Sequence, residues 1–208
     1  MRASLIALLL LATAALARAD AATVEFDGQR YHLDYQDQAQ LPNGRPGDGI
    51  AEFTLEGETV DDWTKLFGYF VFPESGDDPM LMAEEVGKAT KAANPDANYA
   101  IVENKERGDA IIDFLTWAPG SDVMEFNVFK YARAEYGPGL VALQYAQRFK
   151  LGDMSVEAFR ALRERMVEAM ANTDIAQART YFAEKAKEQL GSARRADQEP
   201  AADAGAGR

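Results

Sequence analysis

Residues 123–149 read VMEFNVFKYARAEYGPGLVALQYAQRF, two runs of alternating apolar and polar residues split by Gly137-Pro138-Gly139. Alternation with a period of two sends successive side chains to opposite faces of a strand. Val123 to Ala132 and Leu140 to Phe149 therefore read as two strands, and Gly-Pro-Gly as the turn that pairs them antiparallel. In the second run Val141, Leu143, Tyr145 and Phe149 share a face that needs a core. Ala142, Gln144, Ala146 and Arg148 share the other. Small residues with a Gln and an Arg suit either a face closely covered by another element or the floor of a polar cleft, so Gln144 and Arg148 are candidate binding residues.

The same period continues upstream. Tyr99 to Asn104 and Ala110 to Trp117 are two more strands, linked by turns at Glu106-Arg107-Gly108 and Pro119-Gly120-Ser121, which makes the second half of the chain an antiparallel meander. After it the period changes to that of a helix. Ser155 can cap a run in which Val156, Phe159, Leu162, Met166, Val167 and Met170 recur at spacings of three and four, an apolar stripe that requires a sheet beneath it. Thr173 to Leu190 continues as a more charged helix, lying across the surface or extending from the body. Nearer the N-terminus, Thr23 to Asp27 and Tyr31 to Tyr35 alternate around Gly28-Gln29 as a hairpin. Gln36 to Gly49, with Pro42, Asn43-Gly44, Pro46, Gly47 and Asp48-Gly49, reads as a long loop, and Ile50, Phe53 and Leu55 as a third strand. Thr59-Val60-Asp61-Asp62 has the form of a capping box and predicts a short helix from Val60 to about Phe67. Gly68 to Phe72 follows as a short strand. Asp78 as N-cap with Pro79 behind it predicts a helix from Met80 to Ala93, stopped by Asn94-Pro95.

Composition limits the chemistry. The 208 residues carry 22 basic and 34 acidic side chains, one histidine and no cysteine. Such an acidic surface repels phosphate backbones and anionic lipid heads, so nucleic acid and direct membrane insertion are poor partners, and basic patches on a protein or divalent ions are better ones. Without cysteine there is no disulfide, thiol nucleophile or lipidated residue. His32 sits alone in a strand pattern, with no Gly-x-Ser-x-Gly elbow and no second soft ligand for zinc. The acid pairs Asp61-Asp62, Asp77-Asp78 and Glu84-Glu85 fall at helix starts and on solvated faces, where negative charge is wanted for other reasons. No catalytic set, metal site or cofactor motif is therefore assigned. Trp63 follows the capping box and either packs under the sheet or offers a face to a ligand, so Glu58, Thr59 and Trp63 join Gln144 and Arg148 as the candidate binding residues.

At the start, Arg2, the apolar run Leu5 to Leu16 and the small-x-small Ala17-Arg18-Ala19 have the form of a secretory signal peptide. The run is too short for a membrane-spanning helix, which needs roughly 20 apolar residues. The expected organisation is a signal peptide over 1–19, one α+β domain over 20–190 and a disordered Ala, Gly, Arg and Asp tail over 191–208. Losing Arg2 and Arg18 leaves 20 basic against 34 acidic residues, a balance of −14 for the mature chain. Export without disulfides points to a bacterial periplasm.

Gly57-Glu58-Thr59-Val60-Asp61-Asp62-Trp63-Thr64-Lys65-Leu66, the run from Glu125 to Tyr131 and that from Gly139 to Arg148 resemble uncharacterised exported proteins of proteobacteria. The element order β-β-β-α-β-α-β-β-β-β-α is similar to that of PsbP-like and DcrB-like domains. The resemblance implies a mainly antiparallel sheet of six to seven strands sandwiched by helices, and a small accessory or binding domain rather than an enzyme. It carries no functional residue over. The expected function is thus a non-enzymatic accessory or binding protein with an envelope protein as partner. A small-ligand or cation carrier and a carboxylate-based hydrolase are the alternatives, and the oligomeric state is not set by the sequence.

Overall fold

The computed structural model describes residues 22–135 and 137–196; the expected signal peptide and the last twelve residues of the tail lie outside them. Among the described residues the strands are β1 (Thr23–Phe26), β2 (Gln29–Gln40), β3 (Pro46–Thr54), β4 (Lys65–Phe72), β5 (Asn98–Asn104), β6 (Asp109–Thr116), β7 (Val123–Arg133) and β8 (Leu140–Lys150). The helices are α1 (Pro79–Ala93), α2 (Val156–Asn172) and α3 (Ala176–Ala196). All strand pairs are antiparallel, in the order β1-β2-β3-β4-β8-β7-β6-β5. Two meanders, β1 to β4 and β5 to β8, thus run from opposite edges and meet at a β4–β8 seam.

The sheet has eight strands rather than six to seven. Even the four-residue β1 joins it, because Val24 and Phe26 alternate into the core while their backbone pairs with Tyr31 and Gln29. The β1–β2 turn is Asp27-Gly28, both at positive φ, as a two-residue hairpin loop requires.

Helices lie on both faces. On one, α2 and α3 cover Val141, Leu143 and Tyr145 of β8, Phe67 and Tyr69 of β4 and Phe53 of β3 in the main core. Leu162, Met166 and Met170 carry the α2 contact, as the stripe predicts, whereas Val156 is exposed. Ile175, Ala178 and Phe182 bury the start of α3 on the same face, so this helix lies across the sheet. It continues through Ala196, into the stretch expected to be disordered. On the other face α1 starts on the Asp78 cap with Pro79 behind it and packs Ala83 against Ala110, Ile112, Tyr131 and Ala142.

Two expectations are overturned. The long loop over Gln36 to Gly49 is strand: β2 runs on to Gln40, β3 starts at Pro46, and only 41–45 turn. Gly47 and Gly49 are there for close approach, since a Cβ on Gly49 would sit 2.8 Å from the Phe182 ring and 2.9 Å from Val71. The helix over Val60 to Phe67 is absent. Leu66 and Phe67 enter opposite faces of β4, and the alternation of a buried strand outweighs the capping signal. The Thr59 cap bond does form, with Asp62 N–H donating to Thr59 Oγ1 at 3.3 Å, but it closes a tight turn instead of opening a helix.

Candidate functional site

α1 lies over β5 to β7, and its cluster reaches Ala142 of β8 and Phe70 and Phe72 of β4 at the margin. The β2–β4 side of that face is left open, and the register places Tyr35, Glu52, Gly68, Gln144 and Phe129 in one row across β2, β3, β4, β8 and β7. Gly68 contributes no side chain, and the Phe70 ring folds back over it, 2.8 Å from where a Cβ would stand. Phe70 in turn meets Phe129 and Phe72, with ring centres 5.9 and 6.0 Å away. The middle of the row is therefore aromatic and partly exposed.

A directed hydrogen-bond chain borders it. Arg148 Nε donates to Glu125 Oε2 at 3.0 Å, Asn127 Nδ2 to Glu125 Oε1 at 3.1 Å, and Gln144 Nε2 to Asn127 Oδ1 at 2.8 Å. An ionised carboxylate only accepts, so Glu125 fixes which way both amides point. Asn127 turns its NH2 to Glu125 and its oxygen to Gln144; Gln144 turns its NH2 to Asn127. What remains is Gln144 Oε1, an acceptor at the open floor beside Gly68.

The corner of this face is built by the turn after β3. Glu58 accepts from the Thr64 amide at 3.1 Å and from the Thr64 hydroxyl, and Thr54 Oγ1 donates to the Glu58 carbonyl at 3.0 Å. The Val60 amide donates to Asp34 Oδ2 at 2.7 Å, which ties the turn to β2. Trp63 is 8% exposed, packs on Leu66 and Ala146, and carries the Arg148 guanidinium 3.8 Å above its ring centre.

Of the residues singled out by sequence, Trp63, Arg148 and Gln144 thus belong to one connected structure. Glu58 and Thr59 shape the adjoining turn without touching the floor. Sequence reasoning missed Asn127 and Glu125, whose link to Gln144 and Arg148 follows from the β7–β8 register, and Glu52, which lay beyond a misassigned loop. The Glu52 carboxylate makes no ion pair among the described residues, and its pKa is raised by partial burial first and by Asp34 second.

Other acids act structurally. Asp78 caps α1, Glu84 pairs with Lys88, and Asp113, buried on β6, takes a bidentate grip from Arg163 of α2 at 2.6 and 2.8 Å. His32 is half-buried in β2 opposite Thr23 and Thr54. Among the described residues, no three His, Asp or Glu side chains converge as metal ligands, and no helix is long and apolar enough to cross a membrane.

Fold and floor together define an α+β sandwich with one half-face open. A family model matches residues 20–175, three quarters of the chain, and the chain belongs to that uncharacterised family. No curated protein and no solved structure matches it.

Proposed function

We propose that the chain is a non-enzymatic accessory or binding protein of the bacterial cell envelope, which docks a basic segment of an envelope protein on the open half-face. The observation that carries this reading is the direction of the Gln144–Asn127–Glu125 chain. It leaves an outward acceptor in the same row as the unpaired Glu52 carboxylate, with Phe70 between them. Acceptors, negative charge and an aromatic surface are what a Lys or Arg side chain recognises. The acidic balance of the chain favours the same partner by long-range attraction. For the periplasmic address, the family match beginning at residue 20, where the expected signal peptide ends, lends support.

The test is a photo-crosslinking amino acid placed at position 35, 37 or 102, in cells expressing the chain; Asp37 is exposed and lies on the same face as Phe70 through Ile50, and position 102 is on the distant β5 edge. Positions 35 and 37 should capture one discrete basic envelope protein, with the adduct lost on Glu52→Gln; position 102 should not. Equal adducts from all three positions, or none, refute the docking face. Intact mass of the envelope protein checks the address separately: retention of residues 1–19 refutes it.

A further inference from the structure

The two edges of the sheet are finished differently. At the first, β1 is four residues long and pairs only with Gln29 to His32 of β2; beyond it β2 is broken by register shifts at Leu33/Tyr35 and Gln38/Gln40 and carries Asp34 and Asp37. Short edge strands, bulges and charge are the devices that keep an edge from taking up another strand. The second edge lacks them. β5 holds unbroken register with β6 over all seven residues, Asn-Tyr-Ala-Ile-Val-Glu-Asn, with no proline and a single charge, and Val102 is 53% exposed on it.

The hairpin into β6 fixes which backbone groups face outward. The Asn104 carbonyl accepts from the Gly108 N–H at 2.8 Å, on the β6 side. In an antiparallel ladder both backbone groups of alternate residues point the same way. Asn98, Ala100, Val102 and Asn104 therefore turn to β6, and Tyr99, Ile101 and Glu103 present three N–H and three C=O groups to the free edge.

We infer that this edge pairs with β5 of a second copy of the chain, antiparallel, about a two-fold axis through Ile101. In that register Ile101 faces itself and Tyr99 faces Glu103, so every outward N–H of each copy meets a C=O of the other; a shift of two residues either way leaves one pair of residues in β5 unmatched. The exposed Val102 then packs on Ala100 of the second copy, a large residue against a small one. No like charges meet across the seam, since Glu103 lies opposite a tyrosine and Lys105 comes beside the turn that carries Asp96. The helices leave room: α1 centres on β6, so the two α1 axes stand three strand spacings apart, about 14 Å, beyond the roughly 8–10 Å of packed helices. The assembly is closed, because it consumes both bare edges and leaves outside the two that are broken.

The chain has no cysteine, so a single introduced thiol reports the axis. Facing residues of a hydrogen-bonded antiparallel pair have Cα atoms about 5.5 Å apart, within disulfide reach, and only a residue on the two-fold axis faces itself. Ile101→Cys should therefore give a disulfide-linked dimer on mild oxidation, Tyr35→Cys, exposed on β2, should not, and Tyr99→Cys and Glu103→Cys should link only when the two variants are mixed. Sedimentation equilibrium of the wild-type chain purified from expressing cells should show a reversible monomer–dimer association, tightened by salt, which screens the repulsion between two acidic copies. Val102→Glu, at an exposed position, should weaken it at least about tenfold. A basic segment on the docking face responds to salt in the opposite sense, and position 102 in the crosslinking test would at most join the chain to itself, so the two readings fail separately. A monomer at every concentration, species larger than a dimer, a dimer indifferent to Val102→Glu, or Ile101→Cys linking no faster than Tyr35→Cys overturns the inference. So does a monomer whose β5 amides gain protection from exchange only on addition of envelope extract, since the edge then takes a strand of another protein. Circular dichroism of each variant separates loss of pairing from loss of fold.

Discussion

Lys130→Met removes one cation from the interior and tests how α2 is fastened to the sheet. Lys130 lies on β7 with its side chain 4% exposed, and its ammonium pairs with the Asp109 carboxylate at 3.3 Å and donates to the Ala171 carbonyl at 3.1 Å and the Thr173 carbonyl at 2.9 Å. The two carbonyls belong to the C-terminal end of α2, where a positive charge also meets the negative end of the helix dipole. Methionine keeps the stem but leaves Asp109, 8% exposed, as a buried charge without its counterion. Removing one partner of a buried pair costs about 3–5 kcal/mol, so a loss near 4 kcal/mol and a fall in Tm of roughly 8–16 °C are expected for a domain of this size. Asp109→Asn should cost less, about 1–2 kcal/mol, because the ammonium keeps both carbonyls. Lys130→Met combined with Asp109→Leu should recover most of the loss, since no charge is then buried alone. Urea titrations followed by far-ultraviolet circular dichroism measure all three. A cost below about 1 kcal/mol for Lys130→Met, or a larger cost for Asp109→Asn, would refute this account of the pair.

Gly139→Ala should cost more than about 3 kcal/mol, because its φ is +95° and a Cβ would stand 2.1 Å from the Phe72 carbonyl oxygen; Gly57→Ala, also at positive φ but in open space, should cost only about 1–2 kcal/mol. Equal losses in denaturant titrations would show that the clash is relieved. At alkaline pH the buried phenols become a liability. Burial, before any neighbouring charge, pushes Tyr31, Tyr131 and Tyr145 far above the ordinary phenol value and Tyr69 up to about 12. Each raised pKa means that the unfolded state loses its proton first, so stability is fully present below about pH 10 and falls as pH rises beyond it. The phenolate absorbance of the buried tyrosines should appear together with the loss of ellipticity; ionisation of all the tyrosines in a still folded protein contradicts this.

The meander from Tyr99 to Phe149 and the caps of α1 and α2 were legible because each relied on local signals, alternation closed by Gly or Pro and a side-chain oxygen followed by a helical period. What was misread depends on partners distant in sequence. Gly47 and Gly49 have the composition of a turn, yet they are strand residues because Phe182, on the last helix, packs onto Gly49. Thr59 and Asp62 make the local bond of a cap, but Leu66 and Phe67 are needed on opposite faces of the sheet, and burial of two large side chains decides the outcome. At the site, Trp63, Gln144 and Arg148 stood out as expensive or oddly placed residues. Glu125 and Asn127 gave no such signal, since their importance lies in facing Arg148 and Gln144 across a register that only the paired strands define.

The seam between the two meanders joins β4 to the last strand, Phe72 pairing with Leu140 and Lys65 with Gln147. Until residues 140–147 are available, β4 can pair only with β3. Its other side is an open edge reading Leu-Phe-Gly-Tyr-Phe-Val-Phe, without a charge after Lys65 and without a proline. That is the composition of a segment prone to self-association. A chain delivered from its N-terminus therefore carries a sticky edge through the whole interval in which residues 73–139 emerge, and its yield depends on how that interval compares with the encounter time between two such edges. Slow delivery at high local concentration favours aggregation, and anything that holds β4 until β8 arrives favours the fold.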